Sequence, residues 1–472
     1  MHIYDRLYGE MVFPDIIQNL LNCPALLRLR DVRMANNQFA VFPAFANSSR
    51  YEHSLGVCYL AHICAKSLSL SEKDHIELMM ACLYHDVGTP PFAHAMEEVL
   101  QAEYGFDHEN NLRHIIEGTN RSYIGTLEQI YCDGAIKLKS VCQSKQGRKL
   151  GLDIYRIARI IVGDKSEPLS FLLNGNGMDL DNIDNIIRAS TAMGIIDLKG
   201  DKLAERLASS YIMLDDGTFC HNALYINDIK RWQKIRDDQY TAIFESVEDF
   251  AYQTMIKKAL QLLIKDEDST YRLSADSWKL TDSSIVYDYL LKSKYSVQII
   301  KNVLLEKPFR SLGILYVQGD GVSLYINSHL GDIERITSNY YSKVMEIADN
   351  AEIRNEYLPY VVVNFYPDKR NRKIKTGALL MGQEVSIDGE DEKNQQGALL
   401  GLFTPIMSDK YKTVYIGGKK TRKPFPFTNS NLKEMLKILK ESIFSQYEVT
   451  IYEKRKNKRN SEESTENQLG FF

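Results

Sequence analysis

Histidine residues are concentrated in one short part of this chain. Seven of the ten histidines lie between positions 53 and 114. Imidazole nitrogens bind first-row metal ions and exchange protons near neutral pH, so this concentration indicates metal binding or acid–base chemistry. The plain alternative is a set of ordinary buried or surface histidines, and we adopt it for His62, His75 and His114.

His85 and Asp86 differ from these because they stand together where an apolar helical pattern ends. The segment 72–85 repeats apolar residues at helical spacing, Ser71 precedes it as a candidate N-cap, and a Gly/Pro turn follows it. An imidazole and a carboxylate at the end of a buried helix are costly to desolvate, and a divalent cation would compensate for that cost. His53, which opens the preceding helix, is placed to lie beside this helix end. A further acidic ligand has three candidates around the start of a later helix: Asp179, Asp181 and Asp184.

The surrounding sequence resembles the HD superfamily of metal-dependent phosphohydrolases. Within it, the similarity is closest to the deoxynucleoside triphosphate triphosphohydrolases, the branch of bacterial dGTPases and the animal sterile-alpha-motif/HD dNTPase. The sequence motifs that carry the resemblance are FPAFANSSRYEHSLGVCYLA (42–61), ACLYHDVGTPPFAH (81–94), DHE (107–109) and MDLDNIDNIIRAS (178–190). The resemblance implies a helical HD core and hydrolysis of a (deoxy)nucleoside triphosphate to nucleoside and tripolyphosphate. It also implies a divalent metal ion, whose identity (Mg, Mn, Fe, Co or Zn) the sequence leaves open.

The resemblance also assigns roles to individual residues. It makes His94 the general acid that protonates the leaving 5′-oxygen, with Glu97 one helical turn on to orient the imidazole. The metal ligands that it implies are His53, His85, Asp86 and Asp181. A buried polar network without a metal is the competing interpretation of those four residues. His108 and Glu109 match the family's second His-Glu pair, which lies near the substrate phosphates. The substrate contacts that the resemblance implies are Arg50, Arg28 (with Arg30) and Arg236.

Three positions depart from the family pattern. Thr89 replaces a histidine that contacts the phosphates, while Asn185 and Ala189 replace a tyrosine and an aspartate that contact the substrate. We still expect Thr89 and Asn185 to face the substrate, but the base and the sugar stay open. One alternative is therefore an HD phosphohydrolase acting on another nucleotide phosphate ester, such as a monophosphate, a cyclic nucleotide or a signalling nucleotide. Another is a slow nucleotide- or nucleic-acid-sensing HD module.

Composition excludes several other classes. The 472 residues carry a net charge of −4, which gives no general attraction to nucleic acid or to anionic membranes. No apolar run approaches the roughly 18 residues of a spanning helix, and the N-terminus lacks the pattern of a signal peptide. Seven cysteines without a CxxC pair predict reduced thiols and a cytoplasmic protein. The Walker and Rossmann glycine motifs are absent from the sequence.

The sequence patterns around these residues predict a mainly-α protein with a smaller α+β region. We expect a helical HD domain over 1–305, an α+β domain of unknown role over 306–453 and a disordered charged tail over 454–472. A long helical pattern covers 228–265. The predicted elements of the second region are a hairpin over 312–327, strands within 357–368, 398–406, 412–418 and 447–453, a loop over 383–397 and a helix over 431–445.

Partners follow from the resemblance rather than from the residues. It implies a homo-oligomer and a possible allosteric nucleotide at subunit interfaces. A basic run at 419–423 is the weak basis for a nucleic-acid partner, and a solvated turn is the competing interpretation. Control of nucleotide pools and depletion of dNTPs against phage both fit such an enzyme.

Overall fold

The structure is a computed structural model whose described residues fall into two compact units. The first unit holds the described residues up to Phe309, together with Leu358 and residues 377–386, and the second holds the rest. The division after Phe309 lies near the expected division after residue 305, but residues 377–386 group with the first unit. The tail 454–472 lies outside the described residues. The described residues are 2–35, 41–108, 111–112, 138–175, 178–197, 200–214, 217, 219–266, 270–345, 358–368, 377–380, 383–386, 397–406, 413–416, 419–422 and 427–453.

The first unit is built from helices packed around an apolar core, which confirms the mainly-α prediction. Its described α-helices of four or more residues are Asp15–Gln18, Pro24–Arg28, Pro43–Ala46, Arg50–Ser67, Glu72–Tyr84, His94–Tyr104, Lys145–Leu150, Ile154–Ile161, Ser170–Asn174, Leu180–Ala192, Leu203–Ala208, Ile226–Phe244, Val247–Ile264 and Val297–Leu304. Turns of 3₁₀-helix lie at Leu29–Asp31, Ala223–Tyr225 and Ala275–Lys279, a three-residue α-helical turn lies at Asp282–Ser284, and a π-helical segment lies at Ile285–Leu290.

Side-chain caps fix where the helices around the histidine cluster begin. Ser49 and Glu52 form a reciprocal capping box at the start of Arg50–Ser67. Ser71 caps Glu72–Tyr84 by accepting a hydrogen bond from the backbone N–H three residues on, at 3.1 Å. The helix predicted over 72–85 and its N-cap are therefore confirmed.

The long helical pattern predicted over 228–265 is divided into two helices, Ile226–Phe244 and Val247–Ile264. The hydroxyl of Ser246 accepts a hydrogen bond from the backbone N–H of Asp249, so this serine caps the second helix. The apolar period continues across the break, which is why periodicity alone did not reveal it.

Three helices bring one set of helix ends together. A four-residue connection joins Arg50–Ser67 to Glu72–Tyr84, and so short a connection makes the two helices antiparallel neighbours. Leu180–Ala192 packs against Arg50–Ser67. The start of Arg50–Ser67, the end of Glu72–Tyr84 and the start of Leu180–Ala192 therefore meet at one place.

Short antiparallel hairpins complete the first unit. They pair His2–Asp5 with Gly9–Val12, Tyr211–Met213 with Phe219–His221, and Gly377–Leu380 with Gln383–Ser386. The loop predicted over 383–397 is wrong in its first residues, because Gln383–Ser386 is a strand. The alternation in QEVS is too short to be distinguished from a loop by its sequence pattern.

The second unit is a four-stranded antiparallel sheet with two helices, which confirms the predicted α+β class of this region. The strands lie in the order Glu448–Ile451, Arg310–Gln318, Gly397–Thr404 and Val362–Pro367. Its helices are Val322–Met345 and Asn429–Ser442, and a separate hairpin pairs Thr413–Ile416 with Lys419–Arg422. An apolar core shared by sheet and helices includes Leu315, Leu400, Leu402, Tyr341, Met435 and Leu439.

The predicted hairpin over 312–327 is wrong in its second half. Residues Arg310–Gln318 form a strand, but the chain then turns through Gly319–Gly321 into the helix Val322–Met345. The buried residues Val322, Ile326, Ile333 and Tyr341 recur at helical spacing. That period emerges only over several turns, whereas the first few residues alternate like a strand.

Two predictions from the sequence, on reduced cysteines and on membrane-spanning helices, can be compared with the described residues. The six cysteines among them are free and buried. None of the helices in this part of the chain combines the length and the apolar character needed to cross a membrane.

Gly56 allows Arg50–Ser67 to lie close to Leu180–Ala192. A Cβ atom at this position would overlap the Asp184 carboxylate and the Arg188 guanidinium, both of which are fully buried. We therefore expect Gly56→Ala to lower the free energy of unfolding by about 1–3 kcal/mol, the usual cost of overpacking. Urea unfolding followed by far-UV circular dichroism measures this loss.

Lys66→Ala, on an exposed part of the same helix, is the matched control, and we expect it to leave the unfolding curve nearly unchanged. A Gly56→Ala protein as stable as the unmodified chain would contradict the close approach.

Candidate metal centre and active site

The three meeting helix ends place two histidines and a carboxylate around one cavity. His53 lies in the first turn of Arg50–Ser67, His85 directly follows Glu72–Tyr84, and Asp181 lies at the start of Leu180–Ala192. One donor atom from each of the three residues lies within 4.8 Å of the other two. The cavity that they line has a volume of about 190 Å³.

Asp86, the fourth ligand expected from the sequence, lies next to these three donors. The His53 Nε2 atom is 2.8 Å from Asp181 Oδ1 and 3.3 Å from His85 Nε2. The Oδ2 atom of Asp86 is 3.5 Å from His85 Nε2 and 3.9 Å from His53 Nε2. Two imidazole nitrogens and the Asp181 carboxylate therefore form the close cluster, and Asp86 lies beside its two histidines.

Hydrogen bonds on the far side of each imidazole fix which nitrogen faces the candidate metal centre. His85 donates from Nδ1 to the carbonyl of Cys82 at 2.8 Å, and His53 donates from Nδ1 to Asp184 at 2.7 Å. Both Nε2 atoms are thereby turned toward each other and toward Asp181. Once deprotonated, imidazole nitrogens held this way form, together with carboxylate oxygens, a donor set that fits a divalent first-row cation.

The carboxylate behind His53 belongs to a buried ionic network. Arg188 donates to both oxygens of Asp184, at 2.9 and 3.0 Å, and the hydroxyl of Tyr8 donates to the same carboxylate at 2.6 Å. Arg188 also contacts Asp5 at 2.9 Å. Burial raises the pKa of Asp184, but Arg188 and the hydrogen bond from His53 outweigh burial and lower it to about 2.

Asp184 therefore supports His53 from behind, whereas the sequence left it open as a metal ligand. The same carboxylate affects the imidazole in return. Burial lowers the pKa of His53, but its hydrogen bonds with Asp181 and Asp184 outweigh burial and raise the pKa to about 10. The spacing of Asp181, Asp184 and Arg188 along one helix is the signal that could have revealed this network.

Asp86 is held by two neighbours from the sequence-predicted substrate set. One nitrogen of Arg50, Nη1, donates to both oxygens of Asp86 at 2.7 Å, and the Thr89 hydroxyl donates to Oδ1 at 2.9 Å. Burial raises the pKa of Asp86, but the positive charges of Arg50 and His85 outweigh burial and hold it well below its usual range. Arg50 also lines the cavity, whereas Thr89 is buried and is not among the described lining residues.

His94 and His108, which also line the cavity, share one carboxylate. Glu97 lies 3.1 Å from His94 Nδ1 and also forms a hydrogen bond with His108 Nδ1. Burial raises the pKa of Glu97, but the hydrogen bonds with His108 and His94 outweigh burial and keep the pKa well below its usual range. The side chain of His94 is 58% exposed, so its imidazole is open to a ligand in the cavity. Glu109 lies outside the described residues.

The remaining sequence-predicted contacts divide into one that the structure brings to the cavity and two that it does not. Asn185 lines the cavity. Arg236 is buried with its guanidinium 4.8 Å from the ring centre of Tyr240, and it is not among the described lining residues. Its expected contact with a triphosphate has no counterpart in this geometry.

Arg28 is likewise buried and absent from the described cavity lining. Its guanidinium lies behind the turn that follows Asp86, where backbone oxygens accept its hydrogen bonds. Those carbonyls belong to Val87, Thr89, Trp278 and Leu280, at 2.7–3.2 Å. Arg28 therefore supports the turn instead of reaching into the cavity.

Two of the histidines given a plain interpretation, His62 and His75, lie elsewhere, and the third, His114, lies outside the described residues. His62 and His75 hydrogen-bond each other at 2.9 Å and join the helices Arg50–Ser67 and Glu72–Tyr84. Burial, followed by the nearby positive charge of Lys66, lowers the pKa of His62 to about 4. Neither residue is among the described residues that line the cavity.

Comparison with known proteins supports the resemblance to the HD superfamily. Residues 50–130 match the family described as "HD domain". The "deoxynucleoside triphosphate triphosphohydrolase SAMHD1 homolog" of Dictyostelium discoideum is 29% identical over 206 residues, which cover 41% of this chain and 36% of that protein. The protein of Bos taurus named "deoxynucleoside triphosphate triphosphohydrolase SAMHD1" is 34% identical over 102 residues, which cover 20% of this chain and 17% of that protein.

A longer match concerns a protein without an assigned function, and a further match concerns the fold. An uncharacterised protein of Methanocaldococcus jannaschii is 21% identical over 346 residues, covering 72% of this chain and 66% of that protein. The structure of a hypothetical protein from Aquifex aeolicus superposes with a TM-score of 0.60 at 18% identity. That superposition covers 86% of this chain and 96% of the other, so it shows a shared fold. The chain thus carries an HD domain similar to that of dNTP triphosphohydrolases, although the match spans about a third or less of those named relatives.

Metal binding tests the division between ligand and support. We expect Asp181→Ala to lose bound Mn²⁺ or Co²⁺, because it removes an oxygen from the donor set. Asp184→Asn should weaken binding by about 10- to 100-fold, since it weakens the hydrogen bond that orients His53 but removes no donor of the cluster. Isothermal titration calorimetry and metal analysis after dialysis measure both effects.

Glu103→Gln, which changes an exposed carboxylate of His94–Tyr104, is the control and should bind metal like the unmodified chain. Equal affinities in the Asp181→Ala and control proteins would rule out this metal centre.

Proposed function

We propose that this chain is a metal-dependent phosphohydrolase that converts a (deoxy)nucleoside triphosphate to nucleoside and tripolyphosphate. The observation that carries the proposal is the position of His94 in the same cavity as His53, His85 and Asp181. A phosphate ester held in that cavity would have a metal centre on one side and a proton donor on the other. The similarity to dNTP triphosphohydrolases adds support for the substrate class.

The four residues His53, His85, Asp86 and Asp181 would hold the metal ion. A divalent cation there supplies Lewis-acid polarisation of a phosphoryl oxygen and favours ionisation of water. Asp184 keeps the Nε2 atom of His53 directed at the centre, and Arg50 holds both oxygens of Asp86. These contacts pre-organise the donors before the substrate arrives.

His94 is the group that we assign to the leaving side of the reaction. Because its Nδ1 faces Glu97, the Nε2 atom remains for the substrate, and the Glu97 carboxylate stabilises the protonated ring. Water adds to the α-phosphorus and releases one proton to the solvent, the bond from phosphorus to the 5′-oxygen breaks, and His94 gives its proton to that oxygen. Nucleoside and tripolyphosphate are the products. His108, which shares Glu97, lies where it can contact the phosphates.

One observation favours a second candidate, in which the same site cleaves another nucleotide phosphate ester. Arg50 is the one arginine or lysine among the described residues that line the cavity, and it is already paired with Asp86. A triphosphate carries several negative charges, and Arg28 and Arg236 lie outside this lining. A monophosphate or a cyclic nucleotide would require less positive charge.

The assembly and the partners of the chain belong to the same proposal. The similarity to dNTP triphosphohydrolases supports a homo-oligomer that binds nucleotide, with a second nucleotide as a possible activator. Size-exclusion chromatography with light scattering, with and without nucleotide, measures the assembly directly.

The first activity test uses metal-stripped protein supplied with Mg²⁺, Mn²⁺, Co²⁺, Fe²⁺ or Zn²⁺. All four dNTPs and all four NTPs are offered singly and in mixtures, and ion-exchange chromatography separates nucleoside from tripolyphosphate. We expect tripolyphosphate release that disappears in Asp86→Ala. Activity in mixtures alone would indicate an activating nucleotide. Nucleoside monophosphates and cyclic nucleotides are offered in the same assay, and their hydrolysis without tripolyphosphate release from any triphosphate would favour the second candidate.

A variant of His94 tests the proton donor. We expect His94→Ala to keep its bound metal and to lower kcat by about two to four orders of magnitude, the usual share of general acid–base catalysis. His75→Ala is the matched control, because His75 lies on a neighbouring helix and bonds His62 instead of lining the cavity. Turnover that is unchanged in His94→Ala would remove His94 from the mechanism.

A further inference from the structure

The chain reaches His94 through a strained backbone. Phe92 has a φ of 55° and Ala93 has a φ of 47° with ψ of −125°, a region that side-chain-bearing residues rarely adopt. Both residues are fully buried, and the helix His94–Tyr104 begins directly after them. Such a conformation persists only where the surrounding structure holds it, so the turn must have supports.

Asp282 is one of these supports. Its Oδ1 accepts a hydrogen bond from the backbone N–H of Phe92 at 2.8 Å, and its Oδ2 accepts one from the backbone N–H of Arg33 at 2.9 Å. The Asp282 side chain is inaccessible to solvent. One carboxylate thus joins two segments that are far apart along the chain.

The segment at Arg33 leads to the other side of the cavity. Arg33 pairs with Ser49 as an isolated antiparallel bridge, and the carbonyl of Val32 accepts a hydrogen bond from the Arg50 N–H at 2.9 Å. Arg50 is the residue that holds the metal-ligand candidate Asp86. The Asp282 carboxylate therefore fixes the start of Arg50–Ser67 relative to the turn that ends at His94.

Arg28 extends the same support to the beginning of the turn. Its guanidinium donates to the carbonyls of Val87 and Thr89, and on its other side to the carbonyls of Trp278 and Leu280. The segment 278–282 is thereby attached to both ends of the turn that connects Asp86 with His94.

We propose that Asp282 is a positioning residue for the proton donor, which sets the distance and direction of His94 relative to the metal centre. The proton-transfer role rests on the proposed function, whereas the support of the turn rests on the hydrogen bonds alone. Asp282 does not line the cavity among the described residues, so it acts through the backbone and not on the substrate.

Three variants separate this role from a general structural one. Asp282→Ala removes both acceptor oxygens, and Asp282→Asn keeps one of them. Ser283→Ala, in the same short helix, removes a hydrogen bond of 2.9 Å to Asp31 that does not involve the turn. It is therefore the matched control for a local loss of stability.

Hydrogen exchange followed by mass spectrometry reads the turn without any reaction. In Asp282→Ala we expect peptides spanning residues 87–94 to exchange about 2- to 10-fold faster, as the loss of one or two hydrogen bonds implies. In Asp282→Asn the exchange rate of these peptides should lie between those of Asp282→Ala and the unmodified chain. In Ser283→Ala it should equal that of the unmodified chain. Binding of Mn²⁺ should be unchanged in all three, because the ligands are untouched.

Kinetics with two different leaving groups tests whether Asp282 affects protonation of the leaving group by His94. With the nucleotide substrate we expect Asp282→Ala to lower kcat by about 100-fold with little change in KM, the effect of misplacing a catalytic group. With bis(p-nitrophenyl) phosphate, whose leaving group needs no proton, the loss should be much smaller. Asp282→Asn should recover part of kcat.

The outcomes separate this inference from the proposed function. Unchanged exchange at residues 87–94 in Asp282→Ala overturns the inference whatever the activity is. An equal loss on both substrates, or the same loss in Ser283→Ala, overturns the positioning role in favour of general destabilisation. An unmodified chain that cleaves no phosphate ester refutes the proposed function, and the exchange measurement then still decides whether Asp282 holds the turn.

Discussion

The buried imidazole of His53 must be satisfied on both of its nitrogens, and much of the first unit is arranged to do so. Asp184 accepts a hydrogen bond from one nitrogen, while Asp181 and His85 face the other. A carboxylate as deeply buried as Asp184 is stable only with a compensating charge, which Arg188 provides. Gly56 leaves the space in which this ion pair fits. The packing of these helices and the orientation of the metal-ligand candidates therefore depend on the same buried network.

A second constraint comes from the short turn between Asp86 and His94. A proposed metal ligand and a proposed proton donor separated by so few residues can face the same substrate only if the turn takes one definite shape. The shape that it takes is strained at Phe92 and Ala93, and it is held by hydrogen bonds from residues distant along the chain. Reactive groups need placement well within an ångström, so a rigid connection is worth its conformational cost.

The charge distribution of the cavity bears on the substrate. Glu97 is shared by His94 and His108, so the two imidazoles are coupled through one carboxylate. Arg50 faces the cavity but also holds Asp86, which leaves less positive charge for a polyphosphate than the resemblance implies. Thr89 contributes to the metal side by binding Asp86, and its hydroxyl thereby differs in role from a phosphate-binding histidine. The metal-ligand candidates are thus well supported by hydrogen bonds, whereas the cavity offers little positive charge for a polyphosphate.

The sequence by itself determined the parts of the protein that depend on neighbouring residues. The apolar period and the Ser71 cap specified the helix that ends at His85, and the His85–Asp86 pair with its flanking words indicated the HD domain. Only the tertiary structure decided which charged side chains share a partner. It placed Arg28 and Arg236 away from the cavity, set Asp184 behind His53, and brought Asp282 to a residue 190 positions earlier in the chain. Periodicity and capping are local signals, whereas the partner of a buried polar group is set by how distant segments pack, and that information is spread over the whole chain.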